Sequence, residues 1–358
     1  MRVSFIIPTR DRHEVLDETL GRIGSIVFKH LSGQCELLIV DNASCIPVDV
    51  PRQLSNGIKV RVIRLETNKN TAARNIAAIE AEGEWLVMLD DDSSPLAETD
   101  WGVLDQQDEE VAAIGGEITL PDGRHESGGH PEVVVGCGCA IRRDVFLELA
   151  GYDASFGYYA EEYDLCAGLI QSGYRVAHSR SLRFLHRKSS VGRDFNRIIR
   201  YLVRNNGWVL QRYAPEQRLG PAMECVLRRY RQIAIKERVL DGYELGVTEL
   251  DRTLSEQVRT PLSMELWDRF TGRAAVSQTL RVQLSSRPAR VQILGSAQEK
   301  GREIIADEIG KLGCQLVDED GDLRVVGSIS PGPMLDLIRM FPDAIAPWGF
   351  EDTYAMHH

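Results

Sequence analysis

Three consecutive aspartates, Asp90, Asp91 and Asp92, close a hydrophobic run at Leu89. Carboxylates this close raise one another's pKa unless a cation sits among them. Hard oxygen ligands in such a place suit Mg²⁺ or Mn²⁺, with a substrate's phosphates completing the shell. A solvated turn or helix cap ahead of Pro95 is the plainer reading of the same residues. A second acidic group, Glu161, Glu162 and Asp164, opens an apolar stretch containing Leu165 and Leu169 and ending at Gly173. Acids at a helix start also favour the macrodipole, so simple helix stabilisation accounts for them as well. His186 follows an apolar segment over 181–185, as a surface or core histidine does. Cys137-Gly138-Cys139 has no partner pair at zinc spacing and reads as glycine-lined packing.

The elements that must position these residues follow from apolar periodicity. Short β-branched runs predict strands over 3–7, 36–40, 60–65 and 85–89, separated by helical stretches near 11–28 and 70–81. Strands alternating with helices predict a doubly wound, mostly parallel sheet covered on both faces. Ligands of such sheets bind beyond the carboxyl ends of the strands. Those ends carry Thr9 and Arg10, then Asp41 and Asn42, then the three aspartates. From about 194 to 267 the pattern is helical, and 279–289 reads as a strand running into a connector with Pro288. The last stretch predicts a small second α/β module: strands at 291–294, 315–317 and 323–326, and helices near 298–312 and 333–340. Its 295–301 loop has neither phosphate-binding glycine motif, so it is assigned no nucleotide. The expected division is 1–195, 196–285 and 286–358.

The chain has 358 residues, 43% hydrophobic and 27% charged, which excludes collagen-like and wholly disordered readings. A net charge of −11 makes it a poor binder of nucleic acid, and none is expected as a partner. Seven scattered cysteines suggest reduced thiols. The first residues read as a strand rather than a signal peptide, and no apolar run approaches a membrane span, so a cytoplasmic protein is expected. One segment reverses the charge: Arg180, Arg183, Arg187, Lys188, Arg193, Arg197, Arg200 and Arg204 stand against the single acid Asp194. Such a run neutralises a diphosphate, attracts an anionic acceptor, or sits on the inner membrane surface; a solvated helix face paired with acids elsewhere is the plain alternative.

The order of motifs is more specific than any one of them. Ser4-Phe5-Ile6-Ile7-Pro8-Thr9-Arg10-Asp11-Arg12 is followed by Leu38-Ile39-Val40-Asp41-Asn42-Ala43-Ser44. Asn68 with Thr71-Ala72-Ala73-Arg74-Asn75 and then Leu89-Asp90-Asp91-Asp92 complete the series. Over about residues 1–205 this resembles the GT-A glycosyltransferases of family 2. The resemblance implies a GT-A domain: a Rossmann-like, mostly parallel sheet, here with a helical middle segment and the small C-terminal α/β module. It implies that Pro8, Thr9, Arg12, Asp41 and Arg74 meet the nucleotide. Asp41 would accept the ring N–H of uracil or thymine, a donor that guanine also offers. The aspartate cluster would bind ribose and metal: Asp90 and Asp91 would meet the nucleotide, and Asp92, with Asp90 nearby and with His186, would hold Mn²⁺ or Mg²⁺. The acidic pair on the acceptor side supplies the general base, at Glu162 by position, with Glu161 its neighbour for the role. Arg204-Asn205 matches an Arg-Asn pair that some members carry near the acceptor.

The resulting expectation is an inverting, metal-dependent, hexosyltransferase-like enzyme that moves a sugar from a UDP- or dTDP-linked donor to an acceptor hydroxyl. The basic run leaves anionic and lipid-linked acceptors open, and the C-terminal module's position suggests homo-oligomerisation or acceptor docking. Two rivals share the features. A nucleotidyltransferase has a similar sheet and metal site but releases pyrophosphate. A non-catalytic subunit would bind nucleotide-sugar without transfer.

Overall fold

In the computed structural model of the chain, residues 2–28, 35–189, 194–284 and 289–350 are described. Four strands make the parallel half of the main sheet: β1 (Val3–Thr9), β2 (Cys35–Asp41), β3 (Lys59–Arg64) and β4 (Trp85–Met88). β2 and β4 flank β1, and β3 lies outside β2, all parallel. Phe5 and Ile7 enter one apolar core with Leu16 and Ile23 of α1 (His13–Gly24). Ile6 enters the opposite core with Ala73 and Ala77 of α2 (Ala73–Glu80). Burial on both faces is why these strands read as unbroken apolar runs and why the sequence located them within a residue or two.

The other half of the sheet holds β5 (Ser93–Pro95), β6 (Val111–Thr119), β7 (Cys139–Arg142) and β8 (Arg175–His186). The full order is β3-β2-β1-β4-β7-β6-β8-β5. β7 runs antiparallel to β4 and β6, β8 parallel to β6, and β5 antiparallel to β8. The sequence did not predict β5, β6 or β7. β6 contains Ala112, Ala113, Gly115 and Gly116, weak strand formers, and the other two are very short. Glycine is needed at 116, where a Cβ would lie 2.6 Å from the Leu182 carbonyl oxygen. α3 (Arg143–Glu148) and α4 (Glu161–Gln171) fill the connections between β7 and β8.

A helical stretch follows: α5 (Phe195–Tyr213), α6 (Glu216–Glu237), α7 (Leu240–Thr253), α8 (Met264–Phe270) and α9 (Arg273–Leu284). Asp194 caps α5, accepting from the N–H groups of Asn196 and Arg197 at 3.0 and 3.2 Å. The strand expected from 279 is instead the end of α9. Leu280, Val282 and Leu284 suggest alternation, but Val282 is 72% exposed while Val276, Leu280 and Leu284 are buried at helical spacing. Pro288 lies outside the described residues. The chain closes with β9 (Arg290–Leu294), α10 (Arg302–Lys311), β10 (Gln315–Val317), β11 (Leu323–Val326) and α11 (Pro331–Met340). The three strands pair in parallel in the order β10-β9-β11. α9 shares the apolar core of this module, with Val276 and Leu280 beside Val291, Ile305 and Val325.

Acids from other elements answer most of the basic run. Arg180 and Arg183 reach Glu117, Arg187 pairs with Glu18, Lys188 with Glu126, and Arg200 and Arg204 with Glu249. Arg193 lies outside the described residues. Among the described residues no helix is long and apolar enough to cross a membrane.

Candidate active site

The loop after β1 is knitted to the aspartate turn after β4. Thr9 Oγ1 donates to Asp91 Oδ2 at 2.8 Å. Arg12 Nη1 lies 2.8 Å from Asp91 Oδ1, and its Nη2 lies 3.0 Å from Asp92 Oδ2. Thr19 Oγ1 of α1 donates to the Asp91 carbonyl at 2.5 Å. Pro8, half-buried, stands opposite Val40 in the β1–β2 register. Burial pushes the Asp91 carboxyl up to about 6 although Arg12 and Thr9 pull it down. Burial also works against the Asp92 carboxylate, but His186 and Arg12 outweigh it and hold that carboxyl far below its usual range. Asp90 is the exposed member of the three, with 40% of its side chain open, and it accepts from buried Arg74 Nη2 at 2.5 Å. Arg74 also donates to the Leu89 carbonyl at 3.0 Å.

Beside the β2 end is an open cleft of ≈ 490 Å³ lined by Ala43, Ser44, Arg64, Leu65 and Glu66. Asp41 lies behind that lining rather than in it. Fully buried, its carboxylate accepts from the Ser44 and Val48 N–H groups at 2.9 and 3.1 Å and from Arg64 Nη1 at 2.8 Å. Burial raises this carboxyl, and those donors outweigh burial and lower it. Asn42 fixes the next loop, accepting from the Lys69 N–H at 2.7 Å and donating to the Asn70 carbonyl at 3.0 Å.

His186, at the end of β8, joins the aspartates. Its Nε2 lies 3.2 Å from Asp92 Oδ1, and its Nδ1 lies 2.7 Å from Glu126 Oε2 and 3.4 Å from Cys137 Sγ. Burial disfavours the imidazolium, yet Cys137, Asp92 and Glu126 together raise its pKa. Asp90, Cys137 and His186 each place a ligand atom within 4.8 Å of the others. Burial pushes the Cys137 thiol up to about 11, so it stays protonated and is a poor partner for a hard cation. Asp90 and His186 remain from that cluster, and Asp92, 3.2 Å from His186 Nε2, adds a second carboxylate of the kind that suits Mn²⁺ or Mg²⁺.

The Glu161–Glu162 pair is presented by a strained turn. Tyr159 and Ala160, with φ of 69° and 65°, are left-handed immediately before α4. Each such residue costs on the order of 1–2 kcal/mol. Buried Asn205 of α5 holds the turn, its Nδ2 within 3.0 Å of the Phe156 carbonyl and 2.7 Å of those of Tyr158 and Tyr159. Arg204 adds a donation to the Phe156 carbonyl at 2.9 Å. Asn75 of α2 exchanges two hydrogen bonds with the Tyr152 backbone, at 2.8 and 2.9 Å, tying the Arg74 helix to this region. Glu162 Oε1 accepts from the Gly136 N–H at 3.2 Å; a Cβ at 136 would lie 2.8 Å from that oxygen. Glu161 is buried, and its Oε2 has no hydrogen-bond partner among the described residues. Burial, and for Glu161 also the neighbouring Glu162 carboxylate, raises both carboxyl pKa values.

A raised carboxyl pKa makes the native state take up protons in the window between the ordinary and raised values. Stability therefore falls as pH rises through that window. Glu161→Gln removes the buried charge, so it is expected to raise the melting temperature at neutral pH by about 2–4 °C for each kcal/mol recovered. The gain should grow as pH rises above the ordinary glutamate range toward the raised folded value, which melting curves of the two proteins across pH will check.

The residues named from the sequence for the nucleotide, metal and base sites are therefore placed. Thr9, Arg12, Arg74, the three aspartates and His186 form one linked group, and Glu161 and Glu162 sit close enough to interact electrostatically with Arg74 and Asp90. Asp41 stands apart, buried behind the cleft. Sequence reasoning missed Glu126 and the place of Cys137 against His186. Both lie in a glycine-rich loop without periodicity, which carries no pattern to find them.

Residues 4–124 match the family model for Glycosyl transferase family 2. The sequence similarity to family 2 glycosyltransferases thus lies in this N-terminal region. Over 303 residues the chain is 27% identical to the O-antigen biosynthesis protein RfbC of Myxococcus xanthus, covering 70% of this chain but 22% of RfbC. The chain thus spans about a fifth of that relative's length. Over 223 residues it is 27% identical to an uncharacterized glycosyltransferase of Haemophilus influenzae, covering 54% of this chain and 71% of that protein. A solved structure of GalNAc-T7 with UDP, GalNAc and Mn²⁺ shares the fold, with a TM-score of 0.50, 15% identity, and coverage of 72% and 57% of the two chains. The GT-A architecture expected from the motifs is the one observed: a large, mostly parallel sheet, then helices, then a smaller C-terminal region.

Proposed function

We propose that the chain is an inverting glycosyltransferase that moves a sugar from a nucleoside-diphosphate donor to an acceptor hydroxyl. The observation that carries this reading is the single electrostatic neighbourhood formed by a cationic and carboxylate-rich strand-end group and a raised-pKa glutamate pair, joined through Arg74. The cleft beside Ser44 and Arg64 takes the nucleotide base, favoured as uracil or thymine, with buried Asp41 bonded to both of those residues from behind. Thr9, Arg12 and Arg74 serve the ribose and diphosphate. Residues 1–195 carry this chemistry, and 196–285 and 286–358 support it.

Asp90, Asp92 and His186 are the residues that would hold Mn²⁺ or Mg²⁺. When bound, such an ion supplies Lewis-acid stabilisation of negative charge on a leaving diphosphate. Arg12 and Arg74 add positive charge on the same side. Glu162 takes the proton of the acceptor hydroxyl as its oxygen bonds to the anomeric carbon, and the carbon–phosphate-oxygen bond breaks with its electron pair going to the diphosphate. A base with a raised pKa is better matched to a neutral operating pH than an ordinary glutamate. Neither Ser nor Cys is needed as a nucleophile, which is consistent with inversion in one step.

A thermal-shift panel of nucleoside diphosphates and nucleotide-sugars, with and without Mn²⁺, tests the donor assignment. A ligand present at a hundredfold its Kd adds about 2.7 kcal/mol to native stability, a readily measured shift. Stabilisation by a uridine or thymidine diphosphate that depends on Mn²⁺ is expected. Stabilisation by guanosine diphosphate alone would move the base assignment, and no stabilisation by any member would remove the donor site.

A further inference from the structure

The C-terminal module grips residues 123–130, in the loop between β6 and β7, at several points. Arg339 Nη1 donates to the Gly123 carbonyl at 2.8 Å. Asp336 of α11 accepts the His125 N–H at 3.1 Å and lies 2.7 Å from its ring Nδ1. The start of α11 packs so closely on Glu126 that a Cβ at Gly332 would lie 2.0 Å from the Glu126 carbonyl oxygen. Ser330 Oγ and Lys300 Nζ both lie 3.3 Å from the Gly129 carbonyl. On its other ring nitrogen, His125 lies 3.3 Å from Glu117 Oε1 of β6. The loop is therefore clamped between the module and the main sheet.

Glu126 stands in the middle of the clamped stretch and turns toward the strand-end group. Its Oε2 lies 2.7 Å from His186 Nδ1, and its Oε1 lies 2.8 Å from Lys188 Nζ and 3.0 Å from the Ser127 N–H. With Nδ1 tied to Glu126, the ring directs Nε2 to the Asp92 side. A carboxylate on the far nitrogen of a metal-ligating histidine fixes its tautomer and orientation, and removing such a partner typically costs roughly 10–100-fold in metal affinity.

We infer that the C-terminal module is a brace for the divalent-cation site, with Asp336 and the close-packed Gly332 fixing Glu126, and Glu126 setting His186. This rests on the metal-dependent reading above. Glu126 and Asp336 are positioning residues. An appended docking domain would have no need to converge on the residue behind His186. The module also has a separate aromatic anchor, the His178 ring 5.4 Å from Trp348 and 6.0 Å from Phe350 by centroids, which keeps it docked when one polar contact is removed.

The test is a titration of Mn²⁺ into the full chain followed by electron paramagnetic resonance, with Mn²⁺ alone and with UDP or GDP present. Melting curves of the ion-free proteins run alongside. Glu126→Gln and Asp336→Ala are expected to weaken Mn²⁺ binding by about tenfold or more. Asp343→Asn, which removes an Arg324 pair inside the same module away from the clamp, should bind Mn²⁺ as wild type does. Wild-type Mn²⁺ affinity in Asp336→Ala would overturn the brace, even if its melting point falls. Equal weakening by Asp343→Asn would overturn it too, since general loosening of the module would then be the cause. Absence of bound Mn²⁺ in the wild type would instead remove the metal reading and the brace together.

Discussion

Replacing Glu162 with glutamine is expected to lower sugar transfer roughly 10²–10⁴-fold, the usual contribution of a general base. The amide keeps the side chain's size and can still accept from the Gly136 N–H, so the turn and α4 should remain in place. It has no basic oxygen with which to take the acceptor's proton at neutral pH. Donor affinity should stay close to wild type, because the proposed nucleotide contacts, Thr9 and Arg12 with Arg74, do not include Glu162. The pH profile gives an independent check. Glu162 must be unprotonated to act, and its folded pKa is raised by burial. The acid limb of kcat/KM should therefore lie above the ordinary glutamate value of about 4.3, with activity falling as pH drops through it. Loss from Glu161→Gln with Glu162→Gln near wild type would transfer the base to Glu161.

Asp92→Asn is expected to weaken Mn²⁺-dependent nucleoside-diphosphate binding by roughly a hundredfold, since loss of even a supporting partner of a metal site typically costs about 10–100-fold in metal affinity. Asp92 faces both His186 and Arg12, at 3.2 and 3.0 Å, and an amide turns a donor toward one of them. The same change should lower the melting point of the ion-free protein at neutral pH. A carboxyl whose folded pKa is depressed stabilises the fold above its ordinary pKa, and that contribution is lost as pH falls through the folded value. Measuring the increment in melting temperature caused by Mn²⁺ with nucleotide, rather than the absolute value, separates the two effects.

The parallel half of the fold was legible because burial on both faces writes itself as apolar runs: Phe5, Ile6 and Ile7 are all fully buried, on alternate sides. The motif residues were legible because strand ends put Thr9, Asp41 and Asp90 where a ligand binds. The antiparallel half was not. β6 depends on Gly115 and Gly116 to let β8 and His178 approach, and a close approach between distant segments leaves no local periodicity. The α9 misreading has the same root, since only exposure of Val282 decides between alternation and a helix. Asp41 shows the limit at the site itself. Its position was legible, but the donations from Ser44, Val48 and Arg64 that occupy its carboxylate come from tertiary folding. Glu126 lies furthest from sequence reasoning, because its meaning depends on His186, sixty residues away.

The central claim is transfer chemistry at this site, and the products test it most directly. The full chain is incubated with uridine, thymidine and guanosine nucleotide-sugars and, separately, with nucleoside triphosphates plus sugar phosphates, each with Mn²⁺ and with chelator. Released nucleoside diphosphate and pyrophosphate are both quantified. Nucleoside diphosphate released from one sugar donor, abolished by chelator and reduced in Glu162→Gln, is the predicted result. Pyrophosphate released from a triphosphate would identify a nucleotidyltransferase, and Mn²⁺-dependent donor binding with no release under any condition, including slow hydrolysis, would identify a binding subunit; either contradicts the glycosyltransferase reading.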